Sequence, residues 1–164
     1  MKILLQIIFI GILGFKSAYG QTETPFYEQI AFNFYRTEIL SSHSPDKKLR
    51  VYKEIDRYPM MKDPSWYPQC FEDFRVWTKK DKLSDNISGK KELDLSDLGM
   101  ELFKLKKYGK GRYPKLYVSQ SLSLNDEIIL VNVCEIYRWH GRYYHVKMDS
   151  NGNVIDWCIG GYIE

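Results

Sequence analysis

The residues whose types could perform chemistry lie close together near the C-terminal end of the chain. In RYYHVKMDSNGNVIDWCIGGYIE, residues 142–164, a hairpin turn at the Asn-Gly pair places His145 opposite Cys158. An imidazole beside a thiol lowers the pKa of that thiol, and a carboxylate such as Asp156 can orient the imidazole. These three side chains resemble parts of a nucleophilic triad. The competing interpretation is ordinary strand pairing, with a packed or disulfide-bonded Cys158 beside a structural His145.

Glu135 is a second catalytic candidate. Counting residues around a turn at His140 and the following glycine pairs Glu135 with Val146, on a face that Trp157 also makes apolar. A buried carboxylate costs free energy unless it is paired. Two interpretations follow. Glu135 is either an acid–base group in a pocket, or it points outward because of a β-bulge or because it lies at a strand end that solvent reaches. We favour the outward orientation.

Four residues at the preceding turn are candidates for ligand binding. Trp139, His140, Arg142 and Tyr143 can contact a ligand through ring stacking and charge. The alternative is an exposed hairpin tip in which Trp139 and Arg142 only pair across the strands. His43 stands in a polar connector without a partner nearby in sequence, and we expect it to be solvated.

The chain contains three cysteines, Cys70, Cys134 and Cys158. An intervening strand separates Cys134 from Cys158, so their Cα atoms lie at least about 9.5 Å apart. A disulfide spans no more than about 7 Å, and any disulfide must therefore include Cys70, with either Cys158 or Cys134. Neither a CxxC pair nor a DxDxDG loop is present, so we expect no metal and no cofactor.

The first twenty residues, MKILLQIIFIGILGFKSAYG, are typical of a secretory signal peptide cleaved ahead of Gln21. Their apolar run of about 13 residues is shorter than the roughly 20 that a membrane-spanning helix needs, so we expect no membrane span after cleavage. Residues 21–164 should form one secreted or periplasmic domain. Loss of Lys2 and Lys16 leaves 22 basic against 21 acidic residues. This near-neutral balance argues against nucleic acid as a partner.

The pattern along the chain predicts an α+β domain. Residues 22–40 form an amphipathic helix with Thr24 as its cap and Pro25 in its first turn. Ser96–Tyr108 has the leucine spacing and charge order of a second helix. From Lys115 onward, four β-prone runs separated by turns predict a meander. The expected architecture is an N-terminal helix packed on a curved antiparallel sheet, with a C-terminal four-stranded meander.

The segments YVSQSLSLNDEIILVNV and RYYHVKMDSNGNVIDW resemble small exported proteins of Bacteroidota-type bacteria that have no assigned activity. The resemblance covers mainly residues 115–157 and implies no catalytic residues. A helix on a curved antiparallel sheet is also similar to NTF2-like or cystatin-like architectures. Those architectures include enzymes and binding modules, so the similarity does not choose between them.

The sequence thus favours a non-enzymatic binding module for a protein, peptide or small ligand at the cell envelope or outside the cell. One alternative is a thiol- or carboxylate-dependent hydrolase that uses Cys158, His145 and Glu135. Another is an exported inhibitor or immunity-type protein that uses loops around Trp66 and Trp139.

Overall fold

A computed structural model describes residues 23–43, 45, 47–56, 70–75, 83–106 and 113–163. The predicted signal peptide and Trp66 lie outside this range. The helical elements are α1 (Tyr27–Phe34), a π-helical segment (Tyr35–Ile39), α2 (Leu40–Ser42) and α3 (Glu72–Arg75). The strands are β1 (Leu49–Tyr52), β2 (Leu83–Asp85), β3 (Phe103–Lys106), β4 (Lys115–Val118), β5 (Leu122–Leu124), β6 (Ile128–Ile136), β7 (Gly141–Asp149) and β8 (Val154–Ile163).

All eight strands belong to one mixed sheet. Strand β6 pairs with β7 on one side, and β4 and β5 lie end to end along its other side. Strand β8 extends the sheet beyond β7, β2 pairs with β5, and β1 and then β3 follow β4. The α+β class is confirmed. A fully antiparallel sheet is not, because β1 runs parallel to both β3 and β4. Long connections between these strands permit parallel pairing, which a tight hairpin cannot provide.

The predicted first helix exists, but its boundaries differ from the prediction. It begins at Tyr27 and not at the N-terminus of the chain, and Thr24 is not its cap, because Phe26 precedes it without a side-chain cap. After Phe34 the helix continues as the π-helical segment, which starts at Tyr35 and ends at Ile39. The buried face of this helical run packs on the sheet through Ala31, Phe32, Tyr35, Ile39 and Leu40.

The predicted second helix, Ser96–Tyr108, is wrong. Residues 103–106 form β3, which pairs with β1 in register from Leu49 with Phe103 onward. Phe103 is buried in the core, whereas Leu105 is exposed. A leucine spacing that suits a helix face is thus overridden by tertiary strand pairing, and Gly99 lowers the helix propensity of the segment.

The predicted register of β7 with β8 is confirmed: His145 pairs with Cys158, and Lys147 with Asp156. The predicted two-residue turn is wrong. Asp149 and Asn153 close a three-residue loop in which Gly152 has a positive φ of 86°. The register of β7 with β8 shifts by one residue between Met148 and Lys147, as in a β-bulge, and this shift restores the predicted pairing of Lys147 with Asp156.

The predicted register of β6 with β7 is wrong by four residues. Glu135 pairs with Arg142 and not with Val146. The connection is longer than a two-residue turn, because the Tyr137 N–H donates to the His140 carbonyl at 2.7 Å. A shift of four positions is even, so each side chain keeps the face that the sequence predicted for it.

The sheet buries side chains on both faces. The helical run covers one face, which we call the helix side and where Val131, Val133, Tyr144, Val146 and Met148 contribute to the main core. The opposite face carries a smaller core of Phe71, Leu122, Leu124 and Leu130, with Cys158 packed against it. Asp73 of α3 forms an ion pair with Lys147 on that face. The helical run thus covers one face, and the segment from Phe71 to Asp73 contacts the other.

Candidate functional site

Glu135 lies on the helix side and is completely buried. Its carboxylate accepts hydrogen bonds from the hydroxyls of Tyr35 and Tyr137, the latter at 2.9 Å, and His43 Nε2 lies 3.0 Å from its Oε1. The Tyr144 hydroxyl lies 3.0 Å from the same His43 nitrogen. We call these five residues the Glu135 cluster. The outward orientation favoured from the sequence is wrong, because side-chain donors compensate the burial of the carboxylate.

Four elements bring the Glu135 cluster together. The π-helical segment places Tyr35 over the sheet, and His43 follows the end of α2 directly. Strand β6 carries Glu135 with Tyr137 two residues further, and β7 supplies Tyr144. The Tyr35 and Tyr144 rings lie 5.3 Å apart, and Tyr144 stacks on the His43 ring at 5.6 Å. The carboxylate is therefore enclosed by rings as well as by donors.

Both ring nitrogens of His43 have partners. Its Nδ1 is 3.2 Å from the Ile39 carbonyl, which can only accept, so Nδ1 is the donor in this contact. Its Nε2 lies 3.0 Å from the Glu135 carboxylate and 3.0 Å from the Tyr144 hydroxyl. The imidazole therefore links the buried carboxylate to Tyr144.

The tyrosines of the cluster remain hydrogen-bond donors at neutral pH. Burial, and then the charge of Glu135, raises the pKa of Tyr144 to about 12. The same two causes raise the pKa of Tyr35 and of Tyr137 well above the usual tyrosine range. The side chain of His43 is 21% exposed, whereas that of Glu135 is fully buried. His43 is thus a partly exposed side chain in direct contact with the buried carboxylate.

The turn between β6 and β7 begins directly after the residues of β6 that carry Glu135. Trp139 is 72% exposed, and the Arg138 guanidinium lies 4.8 Å from the centre of its ring. His140 stacks on Tyr137 with ring centres 4.7 Å apart. Arg142 sits opposite Glu135 and hydrogen-bonds to the Tyr144 side chain.

The structure therefore joins two of the predicted binding residues to Glu135: His140 through Tyr137, and Arg142 by strand pairing. Trp139 lies between them in sequence and contacts Arg138. Tyr143 lies on the other face, paired with Cys134.

His145 and Cys158 are neighbours but do not form a nucleophilic pair. Cys158 is joined to Cys70 in a disulfide with Cα atoms 6.5 Å apart, one of the two pairings that the sequence left open. His145 is buried, Asn132 Oδ1 lies 2.6 Å from its Nδ1, and burial lowers its pKa to about 4. The imidazole packs so closely on Gly160 that any Cβ there would collide with it. Asp156 is exposed.

Cys134 is the free cysteine of the described residues, and burial raises the pKa of its thiol. A thiol held in its protonated form is a weak nucleophile. The thiol candidates of this face thus reduce to a disulfide and one partly buried thiol with a raised pKa.

Sequence reasoning missed His43 and Tyr35. The prediction that His43 is solvated is wrong, because its ring contacts Glu135 and Tyr144. Tyr35 lies in the predicted first helix but was not among the candidate site residues. The available signal was the unexplained apolar environment of Glu135, which required donors from an element distant in sequence.

Within the described ranges, no group of three or more histidines, cysteines or acidic residues could hold a metal ion. In that same part of the chain no helix is long and apolar enough to cross a membrane. Comparison of the chain with protein-family models, with curated proteins and with solved structures found no match.

Proposed function

We propose that this protein is an exported binding module that holds its ligand at the hairpin end. We define the hairpin end as Arg138, Trp139, His140 and Arg142, the residues around the β6–β7 turn. The predicted signal peptide supports export, and the Cys70–Cys158 disulfide is compatible with an oxidising compartment. The ligand would be a protein, a peptide or a small molecule of the cell envelope or the extracellular space.

The observation that carries the proposal is the exposure of Trp139 in a supported position. Tryptophan and arginine are enriched among the residues that dominate binding energy at interfaces. Here Arg138 already stacks on the Trp139 ring, so little side-chain freedom remains to be lost on binding.

Residues of the Glu135 cluster contact residues of the hairpin end and hold them in place. His140 stacks on Tyr137, and Tyr137 donates to the buried Glu135 carboxylate. Arg142 is paired with Glu135 across the strands. A binding surface built on a satisfied polar network is held in one geometry, which improves affinity by lowering the cost of ordering.

The proposal is tested by comparing two alanine variants. Trp139→Ala removes the exposed ring at the hairpin end, whereas Ile155→Ala removes a similarly exposed apolar side chain from β8. The mature protein is immobilised and exposed to envelope extract, to peptide libraries and to glycan arrays. A ligand that binds the wild type and the Ile155 variant but is lost by the Trp139 variant supports the proposal. Equal binding by all three proteins contradicts it.

One observation favours a second candidate function, an acid–base enzyme centred on Glu135. The buried Glu135 carboxylate lies 3.0 Å from the partly exposed imidazole of His43, and carboxylates and imidazoles are the usual general acids and bases. A carboxylate-dependent hydrolase would use this pair. Hydrolysis of model ester and glycoside substrates that disappears in both Glu135→Gln and His43→Gln would support it. The thiol-dependent form requires a Cys158 released from its disulfide.

Two finer expectations belong with this proposal. An exported inhibitor or immunity-type protein would also use Trp139, and a captured enzyme whose activity falls on binding would favour that role. A helix packed on a largely antiparallel sheet is consistent with an NTF2-like or cystatin-like architecture. Since those architectures include both enzymes and binding modules, the residues of the hairpin end carry the argument, and the architecture does not.

A further inference from the structure

Three basic residues stand side by side across the sheet, close to the hairpin end. Arg50 of β1 pairs with Lys104 of β3 on one side and with Lys115 of β4 on the other. We call these three residues the basic row. Adjacent strands lie about 4.8 Å apart, so the row spans three neighbouring positions on one face. Lys115 in turn pairs with Ile136, the last residue of β6 before the β6–β7 turn. The row and the hairpin end therefore share one end of the sheet.

The basic row places like charges at directly paired positions, an arrangement that destabilises a sheet. None of the ion pairs among the described residues involves Arg50, Lys104 or Lys115. Arg50 instead donates to the Tyr113 carbonyl, and Lys115 lies over the Tyr52 and Tyr113 rings.

Tyrosine rings accompany the basic row. The sequence repeats one pattern, RVY at 50–52 and KLY at 115–117, on paired strands. As a result the Tyr52 and Tyr117 rings stack with centres 4.4 Å apart. Lys115 Nζ lies 4.9 Å from the ring centre of Tyr113, which is 42% exposed. Exposed rings beside cations offer stacking surfaces and charge together.

From this arrangement we infer that the ligand of the hairpin end is an acidic polysaccharide, which lies across the basic row. This inference rests on the proposed function. An extended chain of negative charges compensates three cations in line, and its sugar rings stack on Tyr113 and Trp139. Single-stranded nucleic acid offers similar chemistry, but Tyr52 and Tyr117 stack on each other and leave few ring faces for successive bases. The predicted export of the chain further favours the polysaccharide.

The test uses polygalacturonate as the acidic probe, with dextran as an uncharged probe and oligo-dT as the nucleic-acid probe. The variant Arg50→Gln/Lys104→Gln/Lys115→Gln removes the basic row. Its matched control, Lys53→Gln/Lys90→Gln/Lys91→Gln, removes three exposed lysines elsewhere. We expect the wild type and the control to bind polygalacturonate alike. The row variant should bind about tenfold more weakly and depend less on salt. Dextran should not bind.

Arg50 donates to the Tyr113 carbonyl at 3.1 Å, so the triple variant could lose structure as well as charge. The double variant Lys104→Gln/Lys115→Gln keeps this hydrogen bond and should lose about half of the effect on a logarithmic scale. Arg50→Lys keeps the charge and should bind like the wild type. Thermal unfolding of each variant verifies that it is folded.

Several results would overturn the inference: no binding of polygalacturonate at low salt, equal loss in the control, or oligo-dT binding as tight as that of polygalacturonate. Trp139→Ala separates this inference from the proposed function. If Trp139→Ala abolishes binding of some other ligand while polygalacturonate is not bound, the ligand class is wrong and the hairpin end stands. If polygalacturonate binding depends on the basic row but not on Trp139, the hairpin end is wrong and the row stands.

Discussion

The two faces of β6 and β7 each bury an ionisable side chain and hold it in opposite ways. On the helix side, Glu135 is surrounded by tyrosine hydroxyls and by His43, whose Nε2 lies 3.0 Å from its Oε1. On the other face, His145 has Asn132 beside it and is kept neutral by burial, which lowers its pKa to about 4. Burial alone therefore does not identify a functional residue. The difference lies in the partners, because Glu135 contacts a partly exposed imidazole, whereas His145 contacts the buried side chain of Asn132.

The strongest way to disturb the His145 face is to remove the disulfide beside it. Cys70 and Cys158 are separated by 88 positions in sequence. Closing a loop of that length restricts the unfolded chain and is worth about 4 to 5 kcal/mol. Cys70→Ala/Cys158→Ala should lower the free energy of unfolding in guanidinium by about that amount. A loss below about 1 kcal/mol would mean that this face is held by packing alone.

On the helix side, the largest expected effect comes from Glu135→Leu. This change leaves Tyr35, Tyr137 and His43 without their acceptor and should cost about 3 to 5 kcal/mol of unfolding free energy. A matched control is Glu28→Leu, at a second fully buried carboxylate that accepts from the Ser88 hydroxyl and the Ser121 N–H.

The Glu28 variant should cost about 1 to 3 kcal/mol, because two neutral donors are orphaned there. A larger loss for Glu28 than for Glu135 would refute the special role of the Glu135 cluster.

The pH dependence of stability should reveal the neutral state of His145. Below about pH 6.5 the unfolded chain binds a proton at this histidine, whereas the folded chain does not until about pH 4. The unfolded state then binds more protons, so stability falls as the pH falls across this window, by about 3 kcal/mol.

His145→Gln should flatten the curve between these pH values while leaving the other titrations in place. Denaturant titrations at pH 7, 5.5 and 4 provide the comparison, and identical slopes for the two proteins would contradict it.

The smallest effect is expected for Tyr137→Phe. Removing one donor of the Glu135 carboxylate should cost about 1 to 2 kcal/mol, because the hydrogen bond of 2.9 Å is made to a charged group. Tyr113→Phe removes a hydroxyl from an exposed ring and should stay within about 0.5 kcal/mol. Chemical denaturation distinguishes the two, and equal values would remove Tyr137 from the support of the hairpin end.

Much of the local architecture was predictable because strand pairing follows an alternating pattern. The register of β7 with β8 was found from the sequence, as was the shared face of Cys134, His145 and Cys158. The β6–β7 register failed because a longer connection has no distinctive signature. The helix predicted over Ser96–Tyr108 failed because pairing with β1 overrides local propensity, and that pairing connects positions about fifty residues apart.

The candidate site was predictable only in part, for a related reason. Glu135 was recognised as anomalous because its face is apolar, yet its compensating donors, Tyr35 and His43, come from some hundred positions earlier. A sequence shows that a buried charge needs partners but not which distant residues supply them. The predicted triad failed differently: His145 and Cys158 do meet, but the disulfide occupies the sulfur.

The last hairpin has a consequence for how the chain could vary. Its three-residue loop and its β-bulge cancel, so the pairing of Lys147 with Asp156 is the same one that a plain two-residue turn would produce. What matters is therefore the length between these two residues and not the type of turn. Exchanging the turn for another of equal length would keep Cys158 facing Cys70. A single inserted or deleted residue there would rotate Cys158 to the helix side, out of reach of its partner.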